Sequence, residues 1–317
     1  MIHFIRHGDT LKSIAKDINL ENPSYLKEFH NQNCLREDYI FENLVAGNKL
    51  FLPDALTVQK YNAKNDAPFK SLERNPKINF NPENLHSQYK VEVTESAFHD
   101  GKQTKSTFSY QFSLQWIESE WGDHIFRFSK SNFSNRNETK MEELAMGCMQ
   151  SISPIEIATN QKGEIIRINL LKETREKFSE IKENLFDQFP DEYAKIYIEE
   201  FEFVVLNEEL FHKKMSEDWA IKTYFANIRN DFKNGTSQLK MILENEVSIL
   251  DINQTVDVSE PEDVLVINQI SPSQEATFTG KYTVLKDSGI VKSLEILHAY
   301  SQYGILYSTD FKLNMMI

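Results

Sequence analysis

Cysteine is almost missing from this chain: two residues in 317, Cys34 and Cys148. They stand far apart with no ligand-type spacing, which excludes a disulfide framework and a cysteine-based zinc site, and both suit a reducing compartment as buried or idle thiols. Basic charge is also in short supply. Against 48 Asp and Glu there are 35 Lys and Arg, a net charge of −13. Nucleic acid is excluded as a partner, because phosphate binding needs clustered cations; an acidic surface mainly serves solubility. No apolar run approaches the roughly 20 residues of a membrane-spanning helix, so no transmembrane segment is expected. The start of the chain lacks a basic stretch followed by a long apolar one, so the expectation is no secretory signal and a cytoplasmic location.

Catalytic signatures are lacking too. The patterns H-E-x-x-H and G-x-S-x-G and the phosphate-binding P-loop do not occur. The eight histidines are scattered. His99 beside Asp100 and His124 beside Asp123 read as turn and strand-end residues. Glu118 and Glu120 lie two apart, a spacing of about 6–7 Å on a strand, within reach of an acid pair. They run into a turn at Gly122–Asp123, however, and read as a solvated strand end. Cys148, in "AMGCM", reads as a buried thiol. The chain is therefore expected to be no enzyme, with no catalytic residues, no cofactor and no metal.

What is there is apolar and aromatic: 40% hydrophobic and 12% aromatic residues, enough for a sizeable core in about two domains. The first block runs to Pro53. A short extended segment, His3 to Arg6, leads to a turn at Gly8. Asp9 or Thr10 can cap a helix on which Leu11, Ile14 and Ala15 share a face. A second helix is signalled by "NPSYLKEFHNQN", with Tyr25, Leu26 and Phe29 at helical spacing. "LVAGNKLFLP" then gives a turn at Gly47–Asn48 and a strand stopped by Pro53.

The order "HFIRHGDTLKSIAKDI", "LKEFHNQN", "LVAGNKLFLP" resembles a LysM domain over about residues 2–53. The stretch "CLREDYIFEN", between Asn33 and Leu44, is longer than the usual family loop. The resemblance implies a βααβ fold. It also implies a groove lined by the loop at the first helix and the loop before the last strand, where family members bind N-acetylglucosamine polymers. Carried onto this chain, one wall is Gly8, Asp9, Thr10 and Leu11, and the other is Asn31, Val45 and Ala46.

Residues 54–87 are rich in Asn, Lys and Pro with little periodicity, and read as a linker or extended arm. From about Gln88 to the end a larger domain is expected. Tyr89, Val91 and Val93 alternate, then Phe108, Tyr110, Phe112, Leu114 and Trp116, then Phe126 and Phe128, predicting three consecutive antiparallel strands. A helix follows from Glu138 to Met149. A hairpin turning at Asn160–Gly163 comes next, then an amphipathic helix carrying Phe178, Ile181, Leu185 and Phe189. "IYIEEFEFVV" suits helix or strand. The end returns to strands, with Phe278, Gly280, Tyr282 and Val284 on one face, and later Ile305, Tyr307, Phe311, Leu313 and Met315.

The fold class is α+β: a βααβ LysM-like module, then a curved antiparallel sheet covered by helices. That half-barrel pattern resembles bacterial lipoprotein carriers of apolar ligands, with no motif that carries residues over. Three functions follow as expectations. The leading one is a non-enzymatic structural or adaptor protein of a contractile injection apparatus, of type VI secretion or phage-tail kind, whose module docks proteins of that assembly. The second is a peptidoglycan-binding cell-wall protein. The third is an apolar-ligand carrier built on the C-terminal domain.

Overall fold

The computed structural model of the chain describes residues 1–64, 66–71, 74–135, 139–243, 248–257, 263–272 and 276–316. Contacts divide it into two compact units: residues 1–76 with 232–235, and residues 77–231 with 236–317.

The smaller unit runs β1 (Ile2–Phe4), α1 (Leu11–Asp17), α2 (Ser24–Asn33), a 3₁₀ turn at Arg36–Asp38, β2 (Lys49–Phe51), α3 (Ala55–Asn62) and a 3₁₀ turn at Pro68–Lys70. β1 and β2 pair antiparallel, His3 opposite Leu50. Local chemistry explains the start of α1. Gly8 takes φ +91, a conformation open to glycine. The Thr10 side chain accepts from Ser13 N–H while the Ser13 side chain accepts from Thr10 N–H, satisfying two donors the helix leaves free. Ile14 and Ala15 of α1 and Tyr25 and Leu26 of α2 are buried against Ile5, Leu20, Ile40, Leu50, Leu52 and Val58.

Val58 belongs to α3, so part of the stretch read as linker or arm, from Asp54, is helical and packs on this unit's core. Asp54 caps α3 by accepting from Thr57 N–H at 2.7 Å. Tyr61 stacks on Tyr25 with centroids 4.4 Å apart. Asn62 accepts from Glu21 N–H and donates to Asn19 C=O, at 3.0 and 2.9 Å. Two anchoring side chains one helical turn apart leave little periodic signal, which is why the helix was not legible.

The larger unit contains β3 (His86–His99), β4 (Lys102–Glu120), β5 (Asp123–Asn135), α4 (Lys140–Ser151), β6 (Ile155–Thr159) and β7 (Ile165–Leu170). The helices α5 (Lys172–Glu176), α6 (Phe178–Gln188), α7 (Glu192–Leu206), α8 (Glu208–Ser216) and α9 (Trp219–Tyr224) follow. The chain closes with β8 (Thr236–Leu243), β9 (Ser248–Asp257), β10 (Val264–Ile270), β11 (Ala276–Leu285), β12 (Val291–Gln302) and β13 (Ile305–Met315). Among the described residues the strands form one antiparallel sheet in the order β7-β6-β5-β4-β3-β13-β12-β11-β10-β9-β8. Two meanders, early and late in the chain, are joined where β3 pairs with β13, Phe311 opposite Val93 and Leu313 opposite Val91.

The inward face carries the alternating residues: Tyr89, Val91 and Val93, Tyr110, Phe112 and Leu114, Phe126 and Phe128, Phe311 and Leu313, all buried. Helices cover it. Tyr224 of α9 meets the Tyr89 ring edge-on at 5.3 Å, Phe225 lies 5.6 Å from Phe126, and Trp219 stacks on Phe311 at 5.8 Å. Each such buried side chain contributes about 1.5–3 kcal/mol.

The helix expected over Glu138–Met149 is α4; Glu138 lies outside the described residues. "IYIEEFEFVV" is helical within α7. β8, β9 and β10 went unread. β9 alternates only over Leu250–Asn253, flanked by an exposed Ile249 and an inward Gln254, and the first four residues of β10 are all buried, so neither strand shows a sustained apolar/polar alternation. No helix among the described residues is long and apolar enough to cross a membrane.

Buried Arg229 rivets the larger unit. Its Nε and Nη2 donate to Gly289 C=O at 3.1 and 2.9 Å, its Nη1 donates to Lys162 C=O at 3.3 Å, and its guanidinium lies 4.2 Å over the Phe80 ring. Gly163 leaves room for it, since a Cβ there would stand 2.8 Å from Arg229 Nη1; at Gly289 the missing Cβ leaves room for the Asn79 backbone, whose C=O would lie only 1.9 Å away.

Candidate functional site

In the smaller unit a cleft of about 790 Å³ opens between two loops. Asp9, Thr10, Leu11 and Lys12 line one part of it and Glu42, Asn43 and Leu44 another, with Asn22, Pro23 and Ser24; Asp66, Pro68, Ser71, Arg74 and Asn234 complete the lining. At the first of these, Asp9 closes the turn. The carboxylate accepts from Arg6 N–H at 2.8 Å and meets His3 Nε2 at 2.7 Å. The Arg6 N–H, and after it the His3 imidazole, hold the Asp9 carboxyl below its ordinary pKa.

The second wall is hung from α2. Lys27, His30 and Asn31 lie at helical spacing, and all three reach the backbone of residues 38–41. Lys27 donates to Phe41 C=O at 2.6 Å. His30, 1% exposed, donates from Nε2 to Asp38 C=O at 2.9 Å and accepts from Phe51 N–H at Nδ1 at 3.1 Å. Asn31 takes both main-chain groups of Ile40, donating at 3.0 Å and accepting at 2.9 Å. Of the residues expected in the groove, Asp9, Thr10 and Leu11 line the cleft; Gly8 sets the turn behind it, Asn31 positions the opposite loop, and Val45 and Ala46 are exposed beyond its rim. Leu44, Glu42 and Asn43 do the lining instead. His30 was missed because a buried histidine on an apolar helix face carries no motif.

The larger unit holds a second concavity of about 530 Å³, between α4, α7, α8 and β5. Its floor is apolar, with Cys148, Ile152, Val205, Phe211 and Met215 all buried. Burial pushes the Cys148 thiol up to about 11 and raises the Tyr197 hydroxyl, so both are neutral. At the mouth, Lys130 forms an ion pair with Asp218 and lies 4.4 Å over the Tyr110 ring. Asp218 also caps α9, accepting from Ala220 and Ile221 N–H at 3.1 and 3.2 Å. Lys214 pairs with Glu217 at 2.9 Å. Such a site suits a water-insoluble small molecule, an apolar lining with a few polar groups at one end.

The acid and histidine candidates stay apart. Glu118 and Glu120 are exposed at the end of β4, past a register shift at Trp116. His124 accepts from Trp116 Nε1 at 3.3 Å, and burial lowers its pKa. His99 Nδ1 stands 3.5 Å from Asp100 in an exposed hairpin. Among the described residues no three His, Cys, Asp or Glu side chains gather as metal ligands.

No family model matches the chain, and no curated protein matches it. Solved structures do. A structure of lipid–protein interactions in lipovitellin is similar over 73% of this chain, at 8% identity and a TM-score of 0.42, and this chain spans 25% of that one. A DUF1329 family protein from Desulfovibrio piger is similar over 74% of this chain and 87% of its own, at 8% identity and a TM-score of 0.20. An outer membrane lipoprotein-sorting protein domain from Vibrio parahaemolyticus is similar over 73% and 86%, at 5% identity and a TM-score of 0.20.

Proposed function

We propose that this chain is a non-catalytic binding protein whose smaller unit is a LysM-like module, and that it serves as a structural or adaptor component of a contractile injection apparatus. One observation carries the binding reading: the "GDTL" loop and the loop before β2 face each other across a cleft, each braced from behind by side chains that satisfy its backbone. A cleft with preset polar walls binds an extended partner at low ordering cost. The assignment to an injection machine rests on the resemblance together with the lack of a catalytic set. The alternative occupant of the same cleft is an N-acetylglucosamine polymer of the cell wall.

The test is a pull-down of the tagged chain from its own cells alongside co-sedimentation with purified sacculi, each repeated with Leu44→Arg. Recovery of tube, spike or baseplate proteins, lost in the variant, supports the docking reading. Sacculus binding lost in the variant, with no machine protein recovered, replaces it with the cell-wall reading. Recovery unchanged by Leu44→Arg removes the cleft from either account.

A second reading is favoured by the apolar concavity of the larger unit, which supports an apolar-ligand carrier built on that unit.

A further inference from the structure

We propose that the concavity between α4, α7, α8 and β5 takes a single-chain amphiphile whose head group bears no negative charge. This rests on the apolar-ligand reading and adds the class of ligand. The volume, about 530 Å³, falls in the lower part of the range of roughly 300–1,000 Å³ usual for small-molecule sites; it suits one aliphatic chain rather than several. The floor has the right texture for such a chain. Met149 and Met215 line it beside Ile152, Val205 and Phe211, and methionines adapt to a flexible guest.

The head group is chosen by the charges at the mouth. Two lysines stand there, and each is already engaged. Lys130, with its side chain only 9% exposed, is held by Asp218, itself anchored by α9. Lys214 is held by Glu217. Glu200 of α7 lines the same mouth, is exposed, and has no ion pair among the described residues. Three carboxylates therefore face two ammonium groups. A fatty-acid anion would have to break a nearly buried ion pair or sit against surplus negative charge. A cationic or uncharged head meets Glu200 directly and leaves both pairs intact.

The experiment uses the full chain and the fluorescent probe N-phenyl-1-naphthylamine, displaced by dodecylamine, dodecyl maltoside or dodecanoate below their micelle concentrations. The expected result is uptake of the probe, with dodecylamine and dodecyl maltoside displacing it at concentrations about tenfold lower than dodecanoate needs. Met149→Trp and, separately, Ala145→Trp fill the concavity and weaken uptake about tenfold or more; a melting curve for each shows that the fold is retained. Glu200→Lys, on an exposed position, narrows the gap between dodecylamine and dodecanoate roughly five- to tenfold at low salt, as reversing one charge near the head requires. Dodecanoate binding as well as or better than dodecylamine overturns the ligand class and leaves the apolar-ligand reading standing. No probe uptake, or uptake untouched by both tryptophan variants, overturns both.

Discussion

Replacing Gly289 by alanine should unlock the larger unit at one point. Gly289 has φ +68, and a Cβ built there stands 1.9 Å from Asn79 C=O. The left-handed conformation alone costs an alanine roughly 1–2 kcal/mol. The collision is with backbone, which no rotamer change relieves, so the 79–81 segment and the turn at 288–289 must part. That threatens the hydrogen bond from Asn81 N–H to Ser288 C=O, 2.8 Å long, and the two donated by Arg229 to Gly289 C=O. Leaving a buried guanidinium and its acceptor mismatched adds about 1–3 kcal/mol per lost bond. With three bonds threatened the sum is about 4–11 kcal/mol, comparable with the roughly 5–15 kcal/mol that holds a domain together. At about 2–4 °C per kcal/mol for a unit of this size, the main calorimetric transition should fall by at least roughly 8 °C. Gly304→Ala is the control. Gly304 has φ +76 but nothing within 4 Å of the added methyl, so only the conformational cost remains, roughly 2–8 °C. If the two variants melt within a few degrees of each other, the close approach at Asn79 and the Arg229 rivet do not stabilise the sheet.

Stability should also fall at alkaline pH. Burial holds the Tyr89 hydroxyl well above its ordinary pKa and pushes Tyr224 up to about 12. A pKa raised on folding means the stabilisation is complete below the unfolded value of about 10 and is lost as pH climbs through the folded one; melting temperature measured against pH should fall over that window, less steeply in Tyr224→Phe, and a flat profile would refute it. Asn31→Ala removes both side-chain bonds to Ile40. It should cost about 1–3 kcal/mol and accelerate amide exchange at residues 38–41, whereas unchanged exchange there would show that the loop holds itself. Half-buried Cys34 should react with Ellman's reagent in the native protein while Cys148, buried and with its thiol pushed up to about 11, reacts only in denaturant; equal native rates would place Cys148 in the open.

Much of this architecture is legible without coordinates where the apolar pattern is regular. Tyr89, Val91 and Val93, and Tyr110, Phe112 and Leu114, alternate because one sheet face is buried, and an antiparallel pleat repeats every two residues. The capping chemistry of Thr10 and Ser13, and the turn at Gly8, are likewise local. The candidate sites are less legible. Asp9, Thr10 and Leu11 could be placed at the cleft because a local turn presents them, but its other wall could not be read correctly: Asn31 looks like a groove residue until Ile40 is seen to occupy both its polar groups. β9 and β10 are hidden for a related reason. An inward Gln254 is tolerated because Gln269, on the neighbouring strand, donates to it at 2.9 Å.

By itself, then, the sequence determined an acidic, cysteine-poor chain with a capped helical start and a large antiparallel sheet, because charge, caps and two-residue alternation are properties of neighbours along the chain. Tertiary structure alone decided that β3 joins β13, that Arg229 fills the space Gly163 vacates, and that an apolar concavity with one surplus carboxylate lies among α4, α7 and α8. Each of these depends on residues brought together from far along the chain, and spacing along the chain carries no trace of such meetings.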